Sequence, residues 1–301
     1  MTPKNKTVII IAGPTAVGKT AVGIHVAQHF NTEIISADSR QCYKELKIGV
    51  ARPSEEELAA VPHHFIATHS VHEKVTAATF EQYALQKAAE LFEKKDVIVM
   101  VGGTGLYITA FTEGMDEIPD VPESVRNEIV ENYFAYGLNW LQQEVLQYDP
   151  EFYAVGEIQN PQRLMRALEV YKATGKSILQ FRTGRKADRP FSVIKIALEI
   201  PKEQLHRNIN HRVGKMMEQG LLDEVQFLLP FQHLNALQTV GYKELFAYLH
   251  EEITLSQAVE EIKKNTQHYA KRQVTWFRKD KEYTWLPPDA TTLIPFIVNK
   301  R

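Results

Sequence analysis

The sequence predicts an α/β fold in which a parallel-sheet core is interrupted by a helical insertion. From residue 7 to 103, short apolar runs bounded by turn residues alternate with amphipathic stretches, the pattern of strands joined by crossover helices. A glycine-rich loop, GPTAVGKT at 13–20, follows the first of those runs directly. From about 115 to 190 the texture is helical, and a strand-like run returns only at 191–200. Residues 1–114 and 191–301 are therefore the expected core, with C-terminal helices, and 115–190 the expected insertion.

The elements follow in order. TVIIIA (7–12) is a buried strand, and 18–30 is the helix that the loop opens. EIISA, ending in the polar DSRQ, is a second short strand. FEQYALQKAAELFEKK (80–95) has apolar residues at helical spacing, and DVIVMVGG (96–103) is a third buried strand. EGMDEIPDVPESVR is a turn-rich crossing in which Pro122 begins a helix running to about Tyr136. LNWLQQEVLQYD, NPQRLMRALEVYKATG and SILQFRTG read as helices, with Gly175 as a C-cap. FSVIKIALEI (191–200) is a core strand, and 202–285 is mostly helical. Ligands of such sheets bind at the carboxyl ends of the strands, where Gly13, Asp38 and Gly102 fall.

Composition narrows the function classes. Apolar residues at 44% and charged residues at 24% are those of a water-soluble globular chain. The single cysteine, Cys42, excludes an internal disulfide and a cysteine-based zinc site, and suits a reducing cytosol. MTPKNK lacks the apolar stretch of a signal peptide, and VIVMV is too short to cross a bilayer; a cytoplasmic chain with no membrane contact is expected. The net charge of −2 conceals local excess: Arg163 to Arg189 holds eight Lys/Arg against Glu169 and Asp188. A second basic cluster, Lys271, Arg272, Arg278, Lys279 and Lys281, is interleaved with Tyr269, Trp276, Phe277 and Tyr283. That mixture suits phosphate contact with base stacking, though a solvated helix face looks the same in sequence.

The loop matches G-x-x-x-x-G-K-[ST] in full, through Gly13, Gly18, Lys19 and Thr20. Its glycines let backbone N–H groups face an anion at a helix N-terminus, Lys19 reaches a terminal phosphate, and Thr20 can hold Mg²⁺. Nucleotide hydrolases and kinases place an Asp at the end of an apolar strand to complete the metal site. Here VIVMV ends in Gly102-Gly103-Thr104, and the carboxylate at a strand end is Asp38. Asp38 can serve a metal, accept a proton from a substrate amine, or simply close an Asx-turn.

GPTAVGKT, ISADSRQCYKELKIG, VPHH, VGGTGLY, NPQRLMRALEVYKATGK, INHRVGKMMEQGLLDEV, VGYKE and YAKRQVTWFR occur in this order. In that order the chain, from Val8 to Trp285, resembles the tRNA dimethylallyltransferases. The resemblance implies a P-loop NTPase-like core related to nucleotide kinases, with an insertion that grips the tRNA anticodon stem-loop. It implies transfer of a five-carbon prenyl group from dimethylallyl diphosphate to the exocyclic amine of the adenine 3′ of the anticodon, position 37. Gly13, Pro14, Thr15, Ala16, Val17, Gly18, Lys19 and Thr20 would then cradle the diphosphate, with Thr20 on Mg²⁺. Asp38 would accept from the adenine amine, and Thr104 would stand near the reacting carbon. Arg212 would assist the departing diphosphate, helped by Arg207. The resemblance places tRNA contacts at Asp38, Ser39, Arg40 and Gln41, and at Arg126, Gln162, Arg163, Leu164, Met165 and Arg166. It places others at Lys271, Arg272, Gln273 and Arg278. No protein partner is implied.

The chain departs from that family's pattern in three places. IGTAKP stands here as IGVARP, with Val50 and Arg52; VPHH is followed by Ala67 and Thr68 where an Asp is usual; and EIQN precedes PQRLMR. His63 and His64 lack a third metal ligand nearby and read as structural. Cys42 reads as a packed thiol, and Trp276 and Phe277 as core or stacking aromatics alike. Two other classes fit a P-loop: an ATP-dependent small-molecule kinase, and a non-catalytic tRNA-binding protein. The first lacks a carboxylate after VIVMV, and the second does not explain why Lys19, Thr20, Asp38 and Arg212 are all present.

Overall fold

The structure is a computed structural model that describes residues 6–301; the start of MTPKNK lies outside the described residues. Among the described residues the six strands are β1 Thr7–Ala12, β2 Ile34–Ala37, β3 His63–His64, β4 Val97–Gly102, β5 Ser192–Leu198 and β6 Thr284–Leu286. All pair in parallel, in the order β3-β2-β4-β1-β5-β6. The helices are α1 Lys19–His29, α2 Glu55–Ala60, α3 Ala77–Phe92, α4 Gly105–Glu113, α5 Glu123–Tyr148, α6 Pro150–Val155 and α7 Pro161–Thr174. They continue as α8 Lys202–Glu218, α9 Leu221–Leu228, α10 Tyr242–Leu249, α11 Leu255–Lys279 and α12 Ala290–Lys300.

The chain divides into two compact units, one running to Glu113 and resuming over Asp188–Arg301, the other Gly114–Ala187. In the first unit, β1 and β4 are apolar at nearly every position because helices cover both faces of the sheet. Side chains alternate along β1: Val8, Ile10 and Ala12 join a core with Phe80, Phe111, Leu245 and Phe277. Ile9 and Ile11 join another with Val22, Val26, Ile209 and Ile297. Strand β1 is central, and the chain passes to β2 on one side of it and to β5 on the other. That reversal opens a crevice at the carboxyl ends of the strands.

In the second unit, α5, α6 and α7 enclose a separate core of Ile129, Leu141, Val145, Phe152, Leu164 and Leu168. α5 is longer than the helix predicted to end near Tyr136, because it resumes after a non-helical residue, Gly137, at φ 75° and ψ −168°. SILQFRTG yields only a 3₁₀ turn over Ile178–Phe181. Gly175 caps α7 in the left-handed conformation, as its position suggested.

Two strands had no clear sequence signal. β3 consists of two histidines, and β6 of three half-buried residues at the sheet edge. Both are too short for a period-2 pattern to register.

Candidate active site

The phosphate loop begins where β1 ends. Gly13 has φ 144°, and a Cβ there would lie 3.0 Å from the Leu198 carbonyl oxygen, so the turn demands glycine. Gly18 takes φ 101° as the residue before α1. No side chain caps α1 and its first turn carries no acidic residue. Its N–H groups and the positive end of its dipole therefore face the crevice without an internal counter-charge.

Contacts from distant helices brace the loop. The Thr15 N–H donates to Gln273 Oε1 at 2.8 Å, and Arg212 Nη1 donates to Thr15 Oγ1 at 3.1 Å. Asn208 Nδ2 donates to the Ala16 carbonyl at 3.1 Å, and Lys19 Nζ donates to the Pro14 carbonyl at 2.7 Å. Burial, then the neighbouring Arg212 guanidinium, pushes the Lys19 ammonium down to about 7. Burial also lowers Arg212. Burial and mutual repulsion both disfavour charge on these two groups, so an anion placed beside them would favour their charged forms.

The opposite wall comes from β2 and β4. A Cβ on Gly102 would fall 2.2 Å from the Ala37 carbonyl oxygen, which lets these strand ends meet only if residue 102 is glycine. Thr104 N–H donates to the Ala37 carbonyl at 3.1 Å, and Thr104 Oγ1 accepts from Ser39 N–H at 3.0 Å. Asp38 Oδ1 accepts from the N–H of Arg40 at 2.9 Å and of Gln41 at 3.2 Å. This Asx-turn fixes the carboxyl group from one side.

Two cavities meet at this wall. One, of about 550 Å³, is lined by Thr15, Ala16 and Gly18–Thr20 of the loop together with Asp38, Arg212 and Lys215. The other, of about 440 Å³, is lined by Asp38, Ser39, Arg40, Arg212, Tyr269 and Arg272. Asp38, Val50, Arg212, Met216 and Tyr269 border both. Burial, and next the Asp38 carboxylate, pushes the Tyr269 hydroxyl up to about 12. Thr20 lines the first cavity from the first turn of α1.

The remaining expected contacts are variously placed: Gln41 and Gln273 line the loop cavity, Arg272 the one beside it, and the others lie outside both. Leu164 and Met165 are buried in the core of the second unit, which leaves them no surface for RNA. Gln273 is buried at 6% exposure, its carboxamide spent on Thr15 and Gly103. Gln41 turns inward, its Nε2 donating to the Val50 and Ala51 carbonyls at 3.2 and 2.9 Å. Arg207 is exposed one turn before His211, and Asn208 makes the loop contact instead. Arg126 and Arg166 both pair with the buried Glu169, at 3.2 and 3.3 Å. Arg163 pairs at the surface with Glu157, Gln162 is exposed, and Arg278 pairs with Glu199. Lys271 and Arg272 are exposed on α11.

The departures from the family pattern have local explanations. Arg52 Nη2 donates to the carbonyls of Tyr43, Lys44 and Leu46, and Val50 forms part of the wall between the cavities. In EIQN, Asn160 caps α7 by accepting from Arg163 N–H, and Glu157 supplies the partner of Arg163. Ala67 takes φ 50°, and its N–H donates to the Gln41 carbonyl. His63 Nδ1 bonds the Val61 carbonyl and His64 Nε2 bonds Glu33, the structural roles read for them. Cys42 is buried, and burial pushes its thiol up to about 12. Phe277 is core, whereas Trp276 is 39% exposed and covers Gly105.

Among the described residues, one carboxylate group is close enough to share a cation: Glu113, Asp280 and Glu282. The buried Lys195 ammonium already lies among them, at 3.3, 2.7 and 2.7 Å. None of the three lines the phosphate cavity, whose oxygen donors include Thr20, Asp38 and Glu57.

Sequence reasoning missed Asn208, Lys215 and Tyr269. The first two lie at i−4 and i+3 from Arg212, a helical spacing that marks one face. Tyr269 had counted only as part of a basic and aromatic helix. Glu224 was missed too: its carboxylate accepts from the N–H groups of Lys47, Ile48 and Gly49 and from the Tyr242 hydroxyl. It thereby holds the turn that carries Val50.

A P-loop facing a strand-end carboxylate across two joined cavities defines a phosphate-using transferase of the P-loop α/β class. Residues 41–280 match the family model described as IPP transferase. A tRNA dimethylallyltransferase of Christiangramia forsetii is 48% identical over 93% of this chain and 93% of its own. The structure of the full-length tRNA isopentenylpyrophosphate transferase of Bacillus halodurans covers 99% of this chain and 95% of that one, at 35% identity and a TM-score of 0.71. A eukaryotic dimethylallyltransferase described as acting on tRNA covers 95% and 75%, at 25% identity and a TM-score of 0.76. The chain belongs to the IPP transferase family. Among the described residues, no helix is long and apolar enough to cross a membrane.

Proposed function

We propose that the chain transfers a dimethylallyl group from dimethylallyl diphosphate to the exocyclic amine of the adenine 3′ of a tRNA anticodon, position 37, in the cytoplasm. The observation that carries this reading is the shared wall: Asp38 and Arg212 border both the phosphate-loop cavity and the cavity beside it. A donor diphosphate on the loop and an acceptor in the second cavity would meet there, with the five-carbon group between Val50, Met216 and Tyr269.

An allylic carbon tolerates positive charge, so the barrier lies in releasing the diphosphate. The first-turn N–H groups of α1, Lys19 and Arg212 would stabilise the negative charge that develops on it. A neutral adenine amine is a weak nucleophile. Asp38 is held on one oxygen by its turn and would use the other to orient the amine and take its proton. The base must leave its stack to reach such a pocket, which suits a loop nucleotide. Thr20, Asp38 and Glu57 line the loop cavity with oxygen ligands of the kind a hard cation takes, and Mg²⁺ held there would neutralise charge on the diphosphate. Arg163, Gln162, Lys271 and Arg272 are exposed and available to RNA. Arg126 and Arg166 would reach it only beside Glu169.

The decisive assay incubates the protein with labelled dimethylallyl diphosphate and unmodified tRNA bearing adenine 3′ of the anticodon. Label in the tRNA at that adenine is expected. An unlabelled tRNA, with ATP-dependent phosphorylation of a small molecule, would overturn the reading in favour of a kinase.

A further inference from the structure

A diphosphate accounts for the polar part of the loop cavity but not for the rest of its lining. Outside the loop and α1, the aliphatic lining comes from Ile48, Val50, Ala51, Pro53 and Met216. Val50, Ala51 and Met216 also border the second cavity, which must hold the acceptor base if transfer is to occur. A donor tail therefore lies against this apolar stretch, and these three residues stand where it meets the acceptor's space. Val50 sits on a turn pinned from two directions. The Glu224 carboxylate accepts from the N–H groups of Lys47, Ile48 and Gly49 at 3.0, 2.8 and 3.0 Å. Gln41 Nε2 donates to the carbonyls of Val50 and Ala51 at 3.2 and 2.9 Å. A Cβ on Gly49 would fall 2.6 Å from the Tyr242 ring, so the turn is already pressed against a fully buried side chain. Val50 itself is branched at Cβ and stiff about χ1. Met216 lies four residues after Arg212 on α8, on the same helical face. It is 9% exposed and packs in the core that also holds Val213 and Ile262. The helix that carries the leaving-group arginine thus also presents a side chain to the donor's tail.

We propose that Val50 and Met216 are specificity-determining residues that set the length of the prenyl group, admitting one isoprene unit and turning away longer donors. The proposal rests on the prenyl-transfer reading above. Its basis is packing: a close-packed wall takes extra methylenes only by moving. One wall here is a turn held at five backbone groups, and the other is a buried side chain. A second isoprene unit can push on these walls or pass between them into the acceptor's cavity. The first route strains the core, and the second excludes the adenine. Val50 stands where the family pattern has Thr, which removes a hydroxyl from the apolar stretch without changing its size.

The test compares geranyl diphosphate, which adds one isoprene unit, with dimethylallyl diphosphate on the full chain and the same unmodified tRNA. Either donor undergoes the same bond changes: C1–O breaks as diphosphate leaves, C1–N forms, and the amine proton passes to Asp38. The quantity read is kcat/KM for geranyl divided by kcat/KM for dimethylallyl. Loss of folded protein lowers both donors alike, so a merely structural role does not move this ratio. For the unaltered protein the ratio is expected below about 10⁻². Val50→Ala and Met216→Ala should each raise it about ten-fold, and the double variant about a hundred-fold, in line with what small size changes are worth in an apolar pocket. The double variant removes as many heavy atoms as the extra unit brings.

Val50→Thr keeps the shape of the side chain and adds a hydroxyl, so the ratio should stay at the unaltered value; this separates size from polarity. Val50→Ala trims a half-buried side chain packed at the margin of the core, and it reads the gate even where Met216→Ala folds badly. An unaltered protein that transfers geranyl as readily as dimethylallyl overturns the proposal. So does a ratio that stays put in folded Val50→Ala and Met216→Ala variants, or one that Val50→Thr raises as much as Val50→Ala does. If the unaltered protein labels tRNA from neither donor, the prenyl-transfer reading itself fails. Normal dimethylallyl labelling with an unmoved ratio sinks the gate alone.

Discussion

The charge state of Lys19 gives the sharpest test of the anion site. Its ammonium normally titrates at 10.5, and burial followed by the Arg212 guanidinium lowers it to about 7. A diphosphate on the loop reverses both influences, because it replaces lost hydration with anionic oxygens and screens the arginine. Binding should therefore take up a proton wherever the free lysine is neutral. With a midpoint near 7, about nine-tenths of the protein carries neutral Lys19 at pH 8, so binding there should consume about 0.9 proton. Affinity follows the protonated fraction and should fall about fifty-fold between pH 7 and 9. The last phosphate ionisation has its midpoint near pH 6, below this window.

Calorimetry of dimethylallyl diphosphate binding, in buffers of different ionisation heat, reads the proton count directly. Folding stability should move the opposite way. Between pH 7 and 10.5 the unfolded chain binds the proton that the free folded protein has lost, so stability should rise with pH over that window. Arg212→Ala removes the second cause and should shift the binding profile to higher pH, although it weakens binding throughout. A flat affinity from pH 7 to 9 with no proton uptake would mean that Lys19 stays charged in the free protein. The account in which burial and the Arg212 guanidinium depress Lys19 would then be wrong.

Other perturbations probe the opposite wall, the second unit and the frame. Asp38→Asn keeps an oxygen for the Arg40 and Gln41 N–H groups but cannot take a proton; turnover should fall about 10²- to 10⁴-fold, with RNA binding retained in a filter assay. Unchanged turnover would remove Asp38 from the chemistry. Replacing Arg163 and Arg166 together should weaken tRNA binding and flatten its dependence on salt; an unaltered slope would mean that this surface does not meet phosphate. Glu224→Ala strands three N–H groups and the Tyr242 hydroxyl, and should cost about 3–5 kcal/mol in urea unfolding. A loss below about 1 kcal/mol would show that water takes over those bonds.

Legibility in the sequence followed the physical origin of each feature. β1 and β4 could be read because burial on both faces forces an unbroken apolar run. The phosphate loop could be read because backbone approach to an anion requires glycine at fixed intervals, and Asp38 because it ends an apolar strand. β3 and β6 could not, since two or three residues at the end of a ladder carry no periodicity. Asn208 and Gln273 were hidden for another reason: their partners are backbone groups far away in sequence, and any residue type supplies a backbone N–H or C=O. Such bonds leave no mark on the partner's side chain, so only the folded chain shows them.

Gln273 and Glu169 show how type alone misleads. A glutamine between Arg272 and Val274 on a basic helix reads as a surface donor for RNA, yet it is buried and bonds the glycine-rich loop. Glu169, counted in the sequence as one of two acids among eight bases, is buried and pairs with Arg126 and Arg166 at once. The effective positive charge offered to RNA by α7 is therefore smaller than the count of arginines implies. Exposed partners cost little to displace, whereas a buried carboxylate stripped of its arginines would stand uncompensated. Arg163, paired with exposed Glu157, can exchange its partner for a phosphate. Arg126 and Arg166 cannot both do so without leaving Glu169 bare. RNA contact by this helix should thus be carried chiefly by Arg163, with Arg126 and Arg166 holding the helix that presents it.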